Sequence, residues 1–280
     1  MVPAISVIVA LLGAVTIACA SQPSPALADA RWPNEPPGLT VLADWGLDQE
    51  PPQSGDVEIP ESPGWSVVYG TPPGPSRGWV RRVRDESAPM SPPYVYDFEY
   101  PQGMVEGVAP GTVYFPRSPS GLAKFLPAPS AGLPGADEIY VGFWWKPSNP
   151  FDVGPNGNKI AFFFNGAGDR GGQQFLILHT DGKLHVLPEY PGDFRWRRPQ
   201  PTAKVVTLGE WHRVEWYARL STGTLKWWLD GELHGSHDDV RNQHKFDMFQ
   251  FSPTWGGASG AKKRQTDHYW FDHLRLSVGK

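Results

Sequence analysis

Alternation of apolar and polar positions is clearest in the second half of the chain. In Ile139–Lys146 the residues Ile139, Val141, Phe143 and Trp145 fall on one face, the period-two signature of a strand with one side buried. Arg213–Leu220 repeats the pattern, with Val214, Trp216, Ala218 and Leu220 toward a core and Arg213, Glu215, Tyr217 and Arg219 on the other face. Tyr94–Tyr100 alternates as well: Tyr94, Tyr96, Phe98 and Tyr100 share one side, and Val95, Asp97 and Glu99 the other. Gln173–Thr180 and Lys183–Leu187 flank Asp181-Gly182, and Leu225–Leu229 and Glu232–Gly235 flank Asp230-Gly231. Both dipeptides accept the positive φ angles of tight hairpins. Lys159–Phe164, Phe246–Phe251 and Tyr269–Val278 complete the strands of this half. The first half is proline-rich and carries shorter candidates at Leu39–Ala43, Trp65–Tyr69 and Trp79–Val83, and Ser118–Ser130 reads as a loop. No stretch sustains a helical period. The expectation is an all-β protein, a β-sandwich or jelly roll of antiparallel strands, with a barrel as the alternative.

Composition agrees. Glycine and proline number 31 each, beside 13 Trp, 9 Tyr and 14 Phe, so many turns coexist with ample material for a core. Only 19% of residues are charged, which excludes a coiled coil or a charged disordered tail. Net charge is −4 but uneven: residues 1–138 carry 7 Lys+Arg against 15 Asp+Glu, and the remainder 18 against 14. All eight histidines lie in the second part. Such a half can attract anions, but without a basic run beyond Lys262-Lys263-Arg264 nucleic acid is not an expected partner.

Met1–Ala20 has no charged side chain and includes an apolar run of signal-peptide length. Thr16-Ile17-Ala18-Cys19 resembles a lipobox, which would make Cys19 a lipidation site; Ala18-Cys19-Ala20 and Ala26-Leu27-Ala28 fit ordinary cleavage instead. Secreted protein, lipoprotein and uncleaved anchor all lie outside the cytoplasm. The expected organisation is a signal at 1–20, a linker at 21–30 and one domain at 31–280, monomeric and membrane-bound only through a lipid anchor. Cys19 is the one cysteine, so neither an intramolecular disulfide nor a cysteine zinc site can form.

Glu138-Ile-Tyr-Val-Gly-Phe-Trp-Trp-Lys146, Gly157-Asn-Lys-Ile160, Gly209-Glu-Trp-His-Arg-Val-Glu-Trp-Tyr217, Trp228-Leu-Asp-Gly231, Phe251-Ser-Pro-Thr-Trp-Gly-Gly257 and Asp267-His-Tyr-Trp-Phe-Asp272 follow one another in an order with a familiar look. The chain resembles concanavalin A-like lectin/glucanase jelly rolls of the polysaccharide-lyase-like type, over about residues 135–280 and less specifically from Trp32-Pro-Asn-Glu35 to about residue 116. The resemblance implies two curved antiparallel sheets and a concave face that holds a sugar chain; the expected partner is a polysaccharide, more readily an anionic one. It leaves open whether the face is catalytic, since one fold hosts many functions.

Hydrolysis would need two carboxylates about the scissile bond. The Glu-x-Asp-x-x-Glu pattern of laminarinase-like members is absent, and Asp97-x-Glu99 is the nearest pair. A uronate lyase would need a group that neutralises the carboxylate, a base and an acid. Tyr217, Tyr269, His179 and His268 are the candidate acid and base groups. Lys159, Arg213, Glu215 and Arg219 are the candidate substrate contacts. The lyase signatures Gln-Ile-His and Tyr-Phe-Lys-x-Gly are absent, and Gln174 and His179 should face opposite ways on a regular strand. A module that only binds would need exposed aromatic rings, for which Trp255, in a Gly-rich loop, and Trp196, within Arg195-Trp196-Arg197-Arg198, are the best candidates, with Trp144, Trp228 and Tyr269 behind them. His234 and His237 with Asp238 and Asp239 suit a solvated loop better than a metal, and Asp272 reads as a buried structural acid. No cofactor and no metal site are expected; calcium, which the resembled fold can hold structurally, has no loop signature here.

Overall fold

The computed structural model describes residues 31–52, 57–59, 64–68, 79–116, 135–165 and 171–279. The signal, Cys19, the linker and the loop expected at Ser118–Ser130 lie outside the described residues. The chain runs through β1 (Thr40–Trp45), β2 (Val57–Glu58), β3 (Ser66–Val68), β4 (Val80–Arg84), β5 (Tyr94–Tyr100), β6 (Thr112–Phe115), β7 (Glu138–Pro147) and β8 (Asn158–Asn165). It continues through β9 (Gln173–Leu178), β10 (Leu184–Glu189), β11 (His212–Arg219), β12 (Thr224–Leu229), β13 (Glu232–His237), β14 (Phe246–Phe251) and β15 (Asp267–Gly279). No helix occurs among the described residues.

Two antiparallel sheets result. The first has the order β13-β12-β11-β7-β15-β5-β4, with β1 also pairing to β15; the second has the order β10-β9-β8-β14-β6-β3-β2. About half of the neighbouring pairs in each sheet join strands distant in sequence, among them β7 with β15 and β8 with β14, which is the crossed connectivity of a jelly-roll sandwich. The longest strand, β15, sits centrally in the first sheet and pairs with β7, β5 and β1.

The alternating residues fill the space between the sheets. Val141, Phe143 and Trp145 from β7, Val214, Trp216 and Ala218 from β11, and Tyr96, Phe98 and Tyr100 from β5 all belong to one buried cluster. They meet Phe163, Phe249 and Phe251 of the second sheet. Phe163 stacks on Trp216 at 3.7 Å, and Phe143 meets Phe251 edge-on at 5.1 Å. Aromatic pairs in such offset and edge geometries gain beyond their buried area. Trp227 enters the core beside Gly235, where a Cβ would lie 2.1 Å from the indole, so β13 can pass over the ring only with glycine there. Tyr94 is the one member of its row outside this cluster; it is half-buried under the Arg82 guanidinium.

Candidate functional site

The outer face of the first sheet carries the row Arg213, Glu215, Tyr217 and Arg219, as alternation requires. It is not an open surface. The segment 31–38 folds back across it and inserts Trp32, fully buried, against Tyr140 and Tyr217. Gly142 makes the seat: a Cβ there would lie 2.4 Å from Cε3 of Trp32. Glu215 is enclosed beneath the segment. It accepts hydrogen bonds from the Asn34 backbone N–H (3.0 Å), the Asn34 side-chain amide (2.9 Å) and the Tyr140 hydroxyl (2.7 Å), and pairs with Arg213 at 3.2 Å. Glu35 ties the segment to Arg275 at 3.0 Å and to the Ser277 hydroxyl. Tyr217 donates its hydroxyl proton to Glu138 at 2.5 Å, and burial with the Glu138 bond holds its pKa above that of a free tyrosine. Arg219, at the exposed end of the row, lies 3.5 Å from Asp137. Trp144 and Trp228 border this cluster half-buried.

Tyr269 points the other way, into the core, stacked on Phe151 at 4.5 Å with none of its surface exposed. Burial raises its pKa far above the ordinary value, and no polymer can reach its hydroxyl. Trp255 is likewise enclosed, 2% exposed, and donates its indole N–H to the Asp152 carbonyl at 2.6 Å. It packs into the core and offers no free ring to a sugar. Asp272 is buried, as expected of a structural acid, and accepts the backbone N–H groups of Met90 (2.7 Å) and Ser91 (3.2 Å). His268 lies on the outer side of the first sheet, stacked on Trp270 at 5.2 Å and bonded to Asp97 at 2.8 Å; that bond raises its pKa. Asp97 and Glu99 are already bridged by Arg81, at 3.2 and 2.6 Å. Lys159 lies on the outer side of the second sheet, donating to the Gly256 carbonyl at 3.0 Å, with Phe175 5.4 Å away; burial lowers its pKa. The four acid and base candidates thus occupy four separate places. Tyr217 is under the N-terminal segment, Tyr269 in the core, His268 on the first sheet and His179 beyond β9.

His179 and Trp196, by contrast, come together at the β10 edge of the second sheet. The β9–β10 hairpin turns through Gly182, with φ +73°. Its turn is closed by Gly182 N–H to the His179 carbonyl and His179 N–H to the Lys183 carbonyl, both 2.9 Å. Asp181 accepts from the Lys183 N–H at 3.0 Å and bonds His185 Nε2 at 2.9 Å, with His179 Nδ1 at 3.4 Å. The two imidazoles lie 4.4 Å apart. Trp196 stands edge-on to both, at 5.3 Å from His179 and 5.9 Å from His185. Burial lowers the pKa of His185 against the opposing pull of Asp181.

The segment after β10 holds Trp196 in place. Arg197 is buried and forks onto Asp193 at 2.5 Å and Asp239 at 2.9 Å, while its backbone exchanges hydrogen bonds with Val186 at 2.7 and 3.1 Å. Gln200 N–H donates to the His234 carbonyl, and His237 Nε2 bonds the Arg198 carbonyl at 2.9 Å. One segment therefore straps the edge of β10 to the edge of β13 and protects both from stray pairing. Its outward side displays Phe194, 64% exposed, and Trp196, 36% exposed, with Arg195 and Arg198 also exposed. Phe194 and the histidine partners escaped the sequence reading. The spacing His179-x-Asp181 followed by His185 across a hairpin turn was the available signal. His234 is buried, accepts the Leu184 N–H at 3.1 Å and is pushed down to about 4 by burial, then by Lys183. His237 stacks on Trp227 at 5.6 Å and Asp239 is held by Arg195 and Arg197, so these residues are structural.

No family model matches the sequence, and no curated protein matches it. Solved structures do match in fold. Domain 4 of AbnA, a GH43 extracellular arabinanase from Geobacillus stearothermophilus solved with arabinotriose, superposes at TM-score 0.50 with 13% identity, over 86% of this chain and 93% of that one. The alginate lyase Aly36B, as a double mutant in complex with alginate trisaccharide, gives TM-score 0.47 and 14% identity over 66% and 82%. The cellulose-induced protein Cip1 gives 0.47 and 15% over 83% and 92%. At 13% identity the likeness to the arabinanase domain is one of fold alone, and it agrees with the two antiparallel sheets in placing the chain in the class of all-β jelly-roll sandwiches.

Proposed function

We propose that this chain is an extracytoplasmic carbohydrate-recognition domain of the concanavalin A-like type, binding a polysaccharide without cleaving it. The observation that carries the reading is the rigid display of Phe194 and Trp196 between Arg195 and Arg198 at one sheet edge. Aromatic faces accept the C–H face of a sugar ring, and guanidinium groups accept carboxylates in forked geometry. Arg197 prepays the ordering of the segment, which lowers the entropic cost of binding. An acidic polysaccharide fits the exposed Arg198, while Arg195 beside it is paired with Asp193 and Asp239. The arabinanase domain, with its bound arabinotriose, supports a sugar ligand by fold analogy.

Elimination would require tyrosine, histidine and a cationic neutraliser within hydrogen-bond reach in one cleft. Among the described residues the tyrosines named for that task are buried and the histidines lie apart, so binding is the better-supported reading. The apolar signal stretch at the N-terminus supports an extracytoplasmic location. The test is retention of the purified protein on alginate, glucuronan, pectin, heparin, arabinan and neutral glucans, with ultraviolet absorbance followed for unsaturated uronate products. Retention on one or more polymers with flat absorbance is expected. Rising absorbance on any of them would make the protein a lyase and refute the non-catalytic reading.

A further inference from the structure

Among the described residues two groups of side chains bring three metal-ligating atoms within 4.8 Å of one another: His179, Asp181 and His185, and Asp97, Glu99 and His268. The second group already holds a cation, since Arg81 bridges both of its carboxylates. The first has no such occupant. Its carboxylate is approached by two imidazole nitrogens, at 2.9 and 3.4 Å. Ligand atoms around a tetrahedral zinc with bonds of about 2.0–2.1 Å lie about 3.3 Å apart; His185 Nε2 meets one carboxylate oxygen and His179 Nδ1 the other, and one ligand atom from each of the three residues falls within 4.8 Å of the rest, a spread that side-chain rotation can close around an ion. Two imidazoles and one carboxylate are also the donor set that borderline divalent metals prefer over calcium, which takes six or more oxygens.

The scaffold is firm. Two of the three ligands come from a hairpin turn closed by its own backbone bonds, and the third from the adjoining strand. Asp181 is oriented by the Lys183 N–H. Trp196 packs edge-on against both imidazoles and fixes their planes.

We infer that His179, Asp181 and His185 form a binding site for one zinc-class divalent metal ion, three protein ligands leaving a fourth position open. Each histidine binds as the neutral imidazole through the nitrogen that faces Asp181, with its N–H on the other ring nitrogen, and only an imidazolium releases a proton to solvent on binding. Arg198 is the cation that bears on His185, and its repulsion sets a limit on the affinity of the site, while the Lys183 ammonium is turned to the Pro201 carbonyl.

The test is isothermal titration of the untagged, chelator-treated protein with zinc sulfate, and with calcium chloride in parallel. One equivalent of zinc is expected, bound at least about 10-fold more tightly than calcium. Titration with cobalt(II) should give the visible absorption of a low-symmetry, four-coordinate ion. His179→Gln and Asp181→Asn, which keep the turn polar, should each weaken zinc at least about 100-fold while leaving the metal-free melting temperature near that of the parent. His244→Gln, distant in the fold, should leave zinc binding unchanged. Zinc affinity unaltered in both ligand variants, or no one-to-one binding at all, would overturn the assignment.

Discussion

Replacing Trp32 by alanine tests how the outer face of the first sheet is closed. The indole has no exposed surface and packs on Tyr140 and Tyr217 over Gly142. Its N–H has no hydrogen-bond partner among the described residues, so what it contributes is packing. Truncating a fully buried tryptophan costs about 3–5 kcal/mol when the site collapses little. Collapse is restrained here, because Asn34 and Glu35 remain tied to Glu215, Arg275 and Ser277 on the sheet. Gly142→Ala probes the same contact from below. Its Cβ would stand 2.4 Å from a ring carbon, well inside the contact distance of about 3.5 Å, and overpacking of this kind costs about 1–3 kcal/mol. The clash exists only while the ring is present. The double variant should therefore be more stable than the sum of the singles predicts, by about 1 kcal/mol or more. The assay is guanidinium unfolding of the four proteins followed by far-ultraviolet circular dichroism, with the slopes compared before stabilities are extracted. A cost below about 1 kcal/mol for Trp32→Ala, or strict additivity in the cycle, would refute the seat as described.

Two further perturbations address buried charge. Lys263 and Asp267 form an enclosed ion pair at 2.5 Å, with Lys263 also donating to the Asp152 carbonyl at 2.9 Å; Lys263→Met leaves the acid uncompensated and should destabilise by about 3–5 kcal/mol, part of which Asp267→Asn restores, as read by denaturant midpoints. Glu106 receives the Ser259 hydroxyl, the N–H groups of Gly257 (2.5 Å) and Ser259 (2.6 Å) and the Asn156 amide (3.2 Å); these bonds, the Ser259 hydroxyl first, outweigh burial and bring its pKa down to about 2. A carboxylate depressed on folding stabilises the protein above its ordinary pKa of 4.5 and loses that contribution as pH falls toward about 2, so the melting temperature should drop across that window and Glu106→Gln should flatten the drop; an unchanged slope would contradict the assignment.

Much of this architecture was legible in strands that alternate. Tyr94–Tyr100 and Phe246–Phe251 have the bounds their pattern predicts, and both Asp-Gly hairpins form. β6 escaped because its four residues lie between prolines and are too short to show a period, and β2 is only two residues long. The site was harder to read for a different physical reason. Alternation correctly places Arg213, Glu215 and Tyr217 on the outer face, but whether that face is open depends on Trp32, which lies about 180 residues away in sequence. Trp255 has the polar, glycine-rich neighbours of an exposed loop, yet its N–H finds the Asp152 carbonyl and its ring the Lys263 ammonium at 5.2 Å, so the loop turns it inward. Trp196 is exposed because its neighbour Arg197, not Trp196 itself, supplies the anchor.

Sugar binding at the edge formed by Phe194, Trp196 and Arg198 makes affinity depend on the two exposed rings. That dependence is tested most directly by titrating whichever polysaccharide retains the protein into the parent, Trp196→Ala and Phe194→Ala. Loss of a contact-dominating aromatic costs about 2 kcal/mol, so Trp196→Ala should bind about 30-fold more weakly, Phe194→Ala should also bind more weakly, and both should melt within a few degrees of the parent. Undiminished affinity in both variants would place the binding surface elsewhere and contradict the account.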